Sequence, residues 1–351
     1  MRPAVTHTRK SNVTYSLPEA QHLVRALYRA LLGRDADAAG LAHWAGALAD
    51  GRLDLAALTT ALTASDDYRV ALARRLARQQ ARTGLHARVA AAAAAALAAT
   101  PLRIVDVGAQ ILADEQHVYA ALADHGLPCH IIGFEPIADK LSERRRADGA
   151  TVHMYPDFIG DGRPHTFHLN APDATSSLLP FNTALTRQLV HLSQLHTMHT
   201  EQVATRTLDE VLVDGVTVDF LKLDIQGFEL PALRHAGAVL ARTNVVHCEV
   251  SFAELYEGQD LFAEVEQLLR SHGFDFIDLA SSCHYACHGP FEDSRDRLGW
   301  GDAIFFRRAA GLAPRDLLAQ AAIALLVYDK PSLAAALAGP AHAALFAPEA
   351  A

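Results

Sequence analysis

After Pro101 the chain alternates short, continuously apolar runs with helix-like stretches, and few architectures accept that alternation. LRIVDV, CHIIGFE, TVHMY, VDFLKLD and NVVHCEVSF are of strand length and rich in Val, Ile, Leu and Phe. Helical stretches fall around Glu115 to Asp124, from Ile137, through Leu230 to Leu240 and through Leu261 to Leu269, with FDFIDLA and DAIFFR closing the set. Runs that are apolar throughout, rather than at every second residue, mark strands buried on both faces, as parallel strands joined by crossover helices are. The expectation is an α/β domain with a doubly wound, Rossmann-like sheet closed by a late hairpin-like pair.

Ligands of such sheets lie beyond the carboxyl ends of the strands. An acid stands at each of these ends: Asp106, Glu135, Asp157, Asp224 and Glu249. Any one of them would serve as a cap or turn residue. Together they point to a site.

The first of these turns is Asp106-Val107-Gly108-Ala109-Gln110-Ile111-Leu112, with a single glycine. A dinucleotide needs G-x-G-x-x-G, because only glycines let the backbone close on a pyrophosphate. Glu135, placed 27 positions after Gly108, suits the two hydroxyls of a ribose. The combination favours a nucleoside without phosphates, such as S-adenosylmethionine, with Ala109 small enough to lie beside its methionine part. Asp114 and Glu115 add acids at a helix start, where they would repel phosphate and could hold an ammonium group.

Lys and Arg total 31 against 40 Asp and Glu, a net charge of −9 with no basic block, which argues against nucleic acid as a partner. Four cysteines, Cys129, Cys248, Cys283 and Cys287, are too few for a disulfide-stapled scaffold. The polar start MRPAVTHTRKSNVTYS lacks a signal-peptide core, and no apolar run reaches the ~18 residues of a membrane span. These features describe a cytoplasmic chain without a membrane span.

Ahead of the sheet, Leu23, Leu27 and Leu31, then Leu41, Trp44 and Leu48, then Leu55, Leu58 and Leu62 recur at helical spacing, which predicts a small helical module over residues 14–75. Its connector Gly33 to Gly40 carries Asp35 and Asp37, but the run His43-Trp44-Ala45-Gly46 lacks the later acid of a calcium loop, so a helix-capping turn is expected. An Ala/Arg-rich helical connector covers residues 76–100, the sheet domain 101–309 and an Ala-rich helical tail 310–351.

The segment from about Arg103 to Arg307 resembles FkbM-type S-adenosylmethionine-dependent methyltransferases through DVGA, IIGFEP, TLDEVL, VDFLKLDIQGFELPALRHAG, VVHCEVSF, ELYEGQ and WGDAIFF. Gln110 and Leu112 stand where that family commonly carries Asn and Gly. YRALLGRDADAAGLAHW with Ser65-Asp66-Asp67-Tyr68 resembles the domain-of-unknown-function family 4214, helical modules attached to bacterial glycan enzymes and surface proteins. The resemblance implies O-methylation of a sugar or polyketide hydroxyl, a small-molecule or glycan acceptor, and a protein or glycan partner for the helical module. It also implies that Asp106, Gly108 and Ala109, with Gln110 in the same turn, line the methionine end. Glu135 would bind ribose, Asp157 and Phe158 would flank adenine, and Asp224 and Glu249 would face the methyl group and acceptor.

Methyl transfer to a hydroxyl needs alignment and the removal of one proton. His247 shares a strand face with Glu249 and is the candidate base; the other reading of it is a packed core histidine. Asp224 and Glu249 could instead hold Mg²⁺, but a third protein oxygen is not evident, so the metal-free route is preferred. His191, His196 and His199 form a second possible metal group, the last two sharing a face if helical. Cys283 to His288 reads as an acceptor-side loop, since it lacks a second zinc-ligand pair. A non-catalytic binding protein, with function carried by the helical module, is the alternative.

Overall fold

The computed structural model describes residues 15–111, 116–147 and 151–347, so Leu112, Asp114 and Glu115 lie outside the described residues. The chain divides into two units, residues 1–85 and 86–351.

In the first unit, helices Leu17–Leu27, Ala38–Ala49 and Leu55–Thr63 enclose Ala20, Val24, Tyr28, Leu32, Ala45, Leu48, Leu58 and Leu62. The inward stripe of the first helix is therefore Ala20, Val24, Tyr28 and Leu32. Leu27 and Leu31 of the expected leucine stripe are half-buried and pack against this core. Gly33 takes a left-handed φ of 68° and ends the first helical segment. Asp37 accepts the Gly40 N–H at 2.7 Å and starts the next, the capping role expected of this turn.

The second unit holds β1 (Leu102–Val107), β2 (Cys129–Phe134), β3 (Val152–Tyr155), β4 (Phe158–Ile159), β5 (Pro164–Ala171), β6 (His196–Arg206), β7 (Val218–Leu223), β8 (Thr243–Ser251), β9 (Phe274–Tyr285) and β10 (Arg297–Arg307). Seven of these form one sheet in the order β3-β2-β1-β7-β8-β10-β9. β3, β2, β1, β7 and β8 are parallel neighbours, and β10 runs antiparallel to both β8 and β9. This is the doubly wound, Rossmann-like sheet with its late hairpin. Its winding reverses between β1 and β7, where such sheets open a crevice.

Several local expectations change. The helix expected through Leu230 to Leu240 is two helices, Glu229–Arg234 and Gly237–Leu240. The Asp209 carboxylate accepts from Ala238 N–H at 3.0 Å and Val239 N–H at 2.8 Å, satisfying donors that would otherwise turn back into the first helix. The adjoining Thr207 and Glu210 form a reciprocal capping box, so TLDE is a structural motif.

The insertion before β7 folds as a second sheet, β4-β6-β5. His196 and His199 belong to β6, hydrogen-bonded to β5, so the shared helical face does not exist. Cys283 and His284 are strand residues of β9 paired with β10, which corrects the loop expected there. Among the described residues no three His, Cys, Asp or Glu side chains converge to hold a metal, and no helix is long and apolar enough to cross a membrane.

The tail is part of the sheet domain. Helix Pro314–Leu326 is buried from Leu318 to Leu326, and Gln320 Nε2 donates to the carbonyls of Asn244 and Arg307. Buried Asp219 accepts from Arg103 N–H at 2.9 Å, Asn244 Nδ2 at 3.0 Å and Arg315 Nη2 at 2.9 Å, tying the tail to β1, β7 and β8. Arg315→Ala strands a buried carboxylate without its cation and should cost about 3 kcal/mol of stability, read from urea unfolding. A loss below about 0.5 kcal/mol, the scale of a surface substitution, would show that the pair does not anchor the tail.

Candidate active site

Parallel registration sets the strand-end acids side by side. Across the sheet they run Asp157 after β3, Glu135 after β2, Asp106 in β1, Asp224 after β7 and Glu249 in β8. Asp106 is paired in register with Lys222 of β7. The Lys222 ammonium lies 3.4 Å from Asp106 Oδ1, 3.4 Å from Asp224 Oδ2 and 3.4 Å from the Gly108 carbonyl. Burial draws its pKa down, but the two carboxylates outweigh that and hold it above the ordinary lysine value. Asp106 also accepts the Tyr119 hydroxyl at 2.6 Å, and Arg144 Nη2 donates to that hydroxyl at 2.8 Å.

The single glycine of the first turn has a steric cause. Gly108 takes φ 81°, and a Cβ there would stand 1.9 Å from the Asp224 carbonyl oxygen. The β1 and β7 turns thus meet backbone to backbone. Ala109, fully buried against Leu141 and Met154, faces away from this contact.

The second turn, Asp224-Ile225-Gln226-Gly227, is held from below. Buried Glu229 accepts Ile225 N–H at 2.8 Å and Gly227 N–H at 3.0 Å. Burial pushes its carboxyl up to about 7, against the downward pull of those backbone donors. Gln226 adopts φ 54°, and its Nε2 donates to Asp224 Oδ1 and Glu249 Oε2, both at 3.0 Å. An amide nitrogen therefore stands between the two carboxyls that the disfavoured Mg²⁺ route would have used. The Tyr256 hydroxyl, 2.9 Å from Gln226 Oε1, fixes the amide.

Above these turns lies a cavity of about 460 Å³, lined by Gly108, Gln110, Glu135, Asp157, Phe158, Asp224 and His247 of the predicted residues. Asp106, Ala109 and Glu249 do not reach it; they form the layer beneath. Phe134, Ile137, Phe158, Phe167 and Leu178 make an apolar section, with Phe158 edge-on to Phe167 at 4.9 Å between centroids. Five acids face the cavity, Glu135, Asp157, Asp173, Asp224 and Asp302, against one ammonium, Lys222.

Glu135 accepts Ile137 N–H through Oε1 at 2.8 Å. Burial nevertheless pushes its carboxyl up to about 7. Burial also lowers His117, to about 4, and keeps His247 below the ordinary imidazole range against the opposing pull of Asp302. Burial, then repulsion from Asp224 and Glu229, raises Glu249 well above the usual carboxylate range.

Sequence reasoning missed Lys222, Gln226, Glu229 and Asp302. A lysine inside the apolar strand VDFLKL was the available signal, because a buried ammonium requires anionic partners. Gln226 and Glu229 act through contacts that spacing does not encode.

A second cavity, of about 940 Å³, is lined by Arg103, His130, His153, Tyr155, Arg206 and Arg315 among others. Its arginines already face acids: Asp214 for Arg103, Asp157 for Arg206 and Asp219 for Arg315. That lining leaves no guanidinium free of an acid for an anion.

The Glu135 shift makes stability depend on pH. Its carboxyl titrates at 4.5 when unperturbed and near 7 when folded, so its protonated form stabilises the fold fully below 4.5 and that contribution is lost as pH rises through about 7. Glu135→Gln should flatten the urea midpoint plotted against pH over this window, leaving the residual slope from Glu229. Parallel plots for the two proteins would contradict the burial effect.

The sequence matches the methyltransferase FkbM domain over residues 106–276 and the domain of unknown function DUF4214 over residues 7–70. Comparison with curated proteins gives no match. A crystal structure of a SAM-dependent methyltransferase from Anabaena variabilis ATCC 29413 is similar at 8% identity, covering 59% of this chain and 77% of that one at a TM-score of 0.28, too low to carry weight. Residues 106–276 are thus similar to the methyltransferase FkbM domain, with a segment similar to DUF4214 ahead of them.

Proposed function

We propose that this chain transfers a methyl group from S-adenosylmethionine to a hydroxyl of a sugar, glycan or related natural product in the cytoplasm. The observation that carries the reading is the cavity's charge: its five acids, with Asp157 facing Arg206 and Asp173 facing Lys140, and its one lysine held between Asp106 and Asp224 leave an acidic lining that suits a ligand bearing a sulfonium and an ammonium and opposes phosphates. The Gly108 turn is closed against the Asp224 carbonyl, which supports the same conclusion, because no glycine-rich backbone cradle opens there.

The residues present fit the donor. Glu135 Oε1 is taken by the Ile137 N–H, leaving Oε2 to accept ribose hydroxyls. Phe158 and its apolar neighbours suit the base, with Asp157 at its edge, and Gly108 and Gln110 lie toward the amino-acid end. The bound donor supplies a methyl on a positively charged sulfur, so the protein has to orient the acceptor oxygen, exclude water and take one proton. Asp224, clamped by Lys222 and Gln226, and His247 lie on the acceptor side, with Glu249 locking the clamp from beneath. Four free thiols suit a reducing compartment.

Glu135→Ala should weaken S-adenosylmethionine binding in calorimetry by about 1.5–3 kcal/mol, roughly 10- to 150-fold, the scale of hydrogen bonds to a charged group. Unchanged affinity would remove Glu135 from the donor site. Tritiated donor incubated with a panel of methyl glycosides should give a labelled ether, and label recovered on nitrogen would contradict the acceptor class.

A further inference from the structure

The row of acids does not stop at Glu249. In the antiparallel register Asp302 of β10 stands opposite Glu249 of β8, and it lines the cavity. On its other side β9 places two residues, Ala280 and Ser281, against Asp302 alone, between the pairs Gly301–Ser282 and Ala303–Leu279. This is a β-bulge, a feature that re-aims side chains. Gly301 permits it, since a Cβ there would meet the Ser281 carbonyl oxygen at 2.7 Å. The bulge brings the Ser281 hydroxyl to donate to Asp302 Oδ2 at 2.6 Å, and Ala280 and Ser281 both line the cavity.

Asp302 Oδ1 lies 3.7 Å from His247 Nε2. On the far side of that ring the Tyr328 hydroxyl is 3.1 Å from Nδ1. Among the described residues this hydroxyl has no other hydrogen-bond partner. A buried hydroxyl without an acceptor is costly, which favours the tautomer in which Tyr328 donates its one proton to Nδ1. In that tautomer the ring proton is on Nε2, on the side of Asp302, and the imidazole has no lone pair left for a substrate.

Other acids on the acceptor side are committed. Asp224 faces Lys222 through one oxygen and Gln226 through the other. Glu249 does not reach the cavity. Asp302 Oδ1 is the oxygen with lone pairs to spare, flanked by neutral donors.

We propose that Asp302 is the proton acceptor of the methyl transfer, and that Ser281, His247 and Tyr328 are the positioning residues that aim its carboxylate. The inference rests on the function proposed above. As the acceptor oxygen forms its bond to the methyl carbon, the carbon–sulfur bond breaks with its electron pair going to sulfur. The hydroxyl proton moves to Asp302 Oδ1 and then to water. The products are a methyl ether and an uncharged thioether.

The charged groups facing His247 are Asp302 from β10, Lys222 and Asp224 at the end of β7, and Asp106 from β1, with Tyr328 following helix Pro314–Leu326. The test is nitrogen NMR of the full chain with labelled histidine, the His247 signal assigned by its loss in His247→Gln. The expected result is a protonated Nε2 and a pyridine-type Nδ1, with the titration midpoint moving down in Asp302→Asn as a stabilising negative charge is lost. A protonated Nδ1, or an unmoved midpoint, would overturn the proposal and return His247 as the base. In the labelled-methyl assay at saturating S-adenosylmethionine, Asp302→Asn should lose about 100-fold or more of kcat, the scale of general-base catalysis. A kcat within threefold would also overturn it. The NMR measurement needs no donor, so absence of donor binding would sink the methyl-transfer reading and leave the His247 result to be judged alone.

Discussion

Lys222 is the pivot of this domain. Its ammonium, lodged between Asp106 and Asp224 at the junction of β1 and β7, ties together the two turns that form the cavity floor. A buried ion pair adds little net stability, but removing one partner strands the other, typically at 3–5 kcal/mol. That asymmetry makes such a group a register device: Asp106 must pair with Lys222, so β1 and β7 cannot slip without stranding a charge. The Gly108 backbone then closes on the Asp224 carbonyl, which leaves no room for a side chain at position 108.

The layer below the cavity explains its chemistry. Glu229 fixes the backbone of the β7 turn, and Gln226 spans Asp224 and Glu249 with its amide, placing a donor between the two carboxyls. Burial keeps Glu229 and Glu249 more easily protonated than usual, which limits the negative charge that the floor must carry. Above that floor Glu135, Asp157, Asp173, Asp224 and Asp302 line the cavity itself, beside its apolar section.

Much of this was legible before any coordinates. Runs such as LRIVDV and VDFLKLD announce parallel strands because both faces are buried, and the five acids at their ends fall into one row for the same reason. Asp302 was hidden because it sits in the middle of a strand, not at its end; antiparallel pairing and a bulge, neither visible in spacing, bring it into the row. Tyr328 was hidden in a tail whose composition says helix and nothing more. TLDE, one of the motifs that carry the family resemblance, is structural: Thr207, Asp209 and Glu210 cap helices.

If, as proposed, the β1–β7 crevice takes an adenosyl ligand with positive charge and no phosphate, it must discriminate between two ligands that share one ribose. Isothermal titration of the full chain with S-adenosylmethionine and, separately, with adenosine diphosphate measures that. The expected result is a Kd of about 100 μM or tighter for S-adenosylmethionine, near −5.5 kcal/mol or better, and no heat of binding from the diphosphate up to about 1 mM. Binding of the diphosphate as tight as that of S-adenosylmethionine would contradict it.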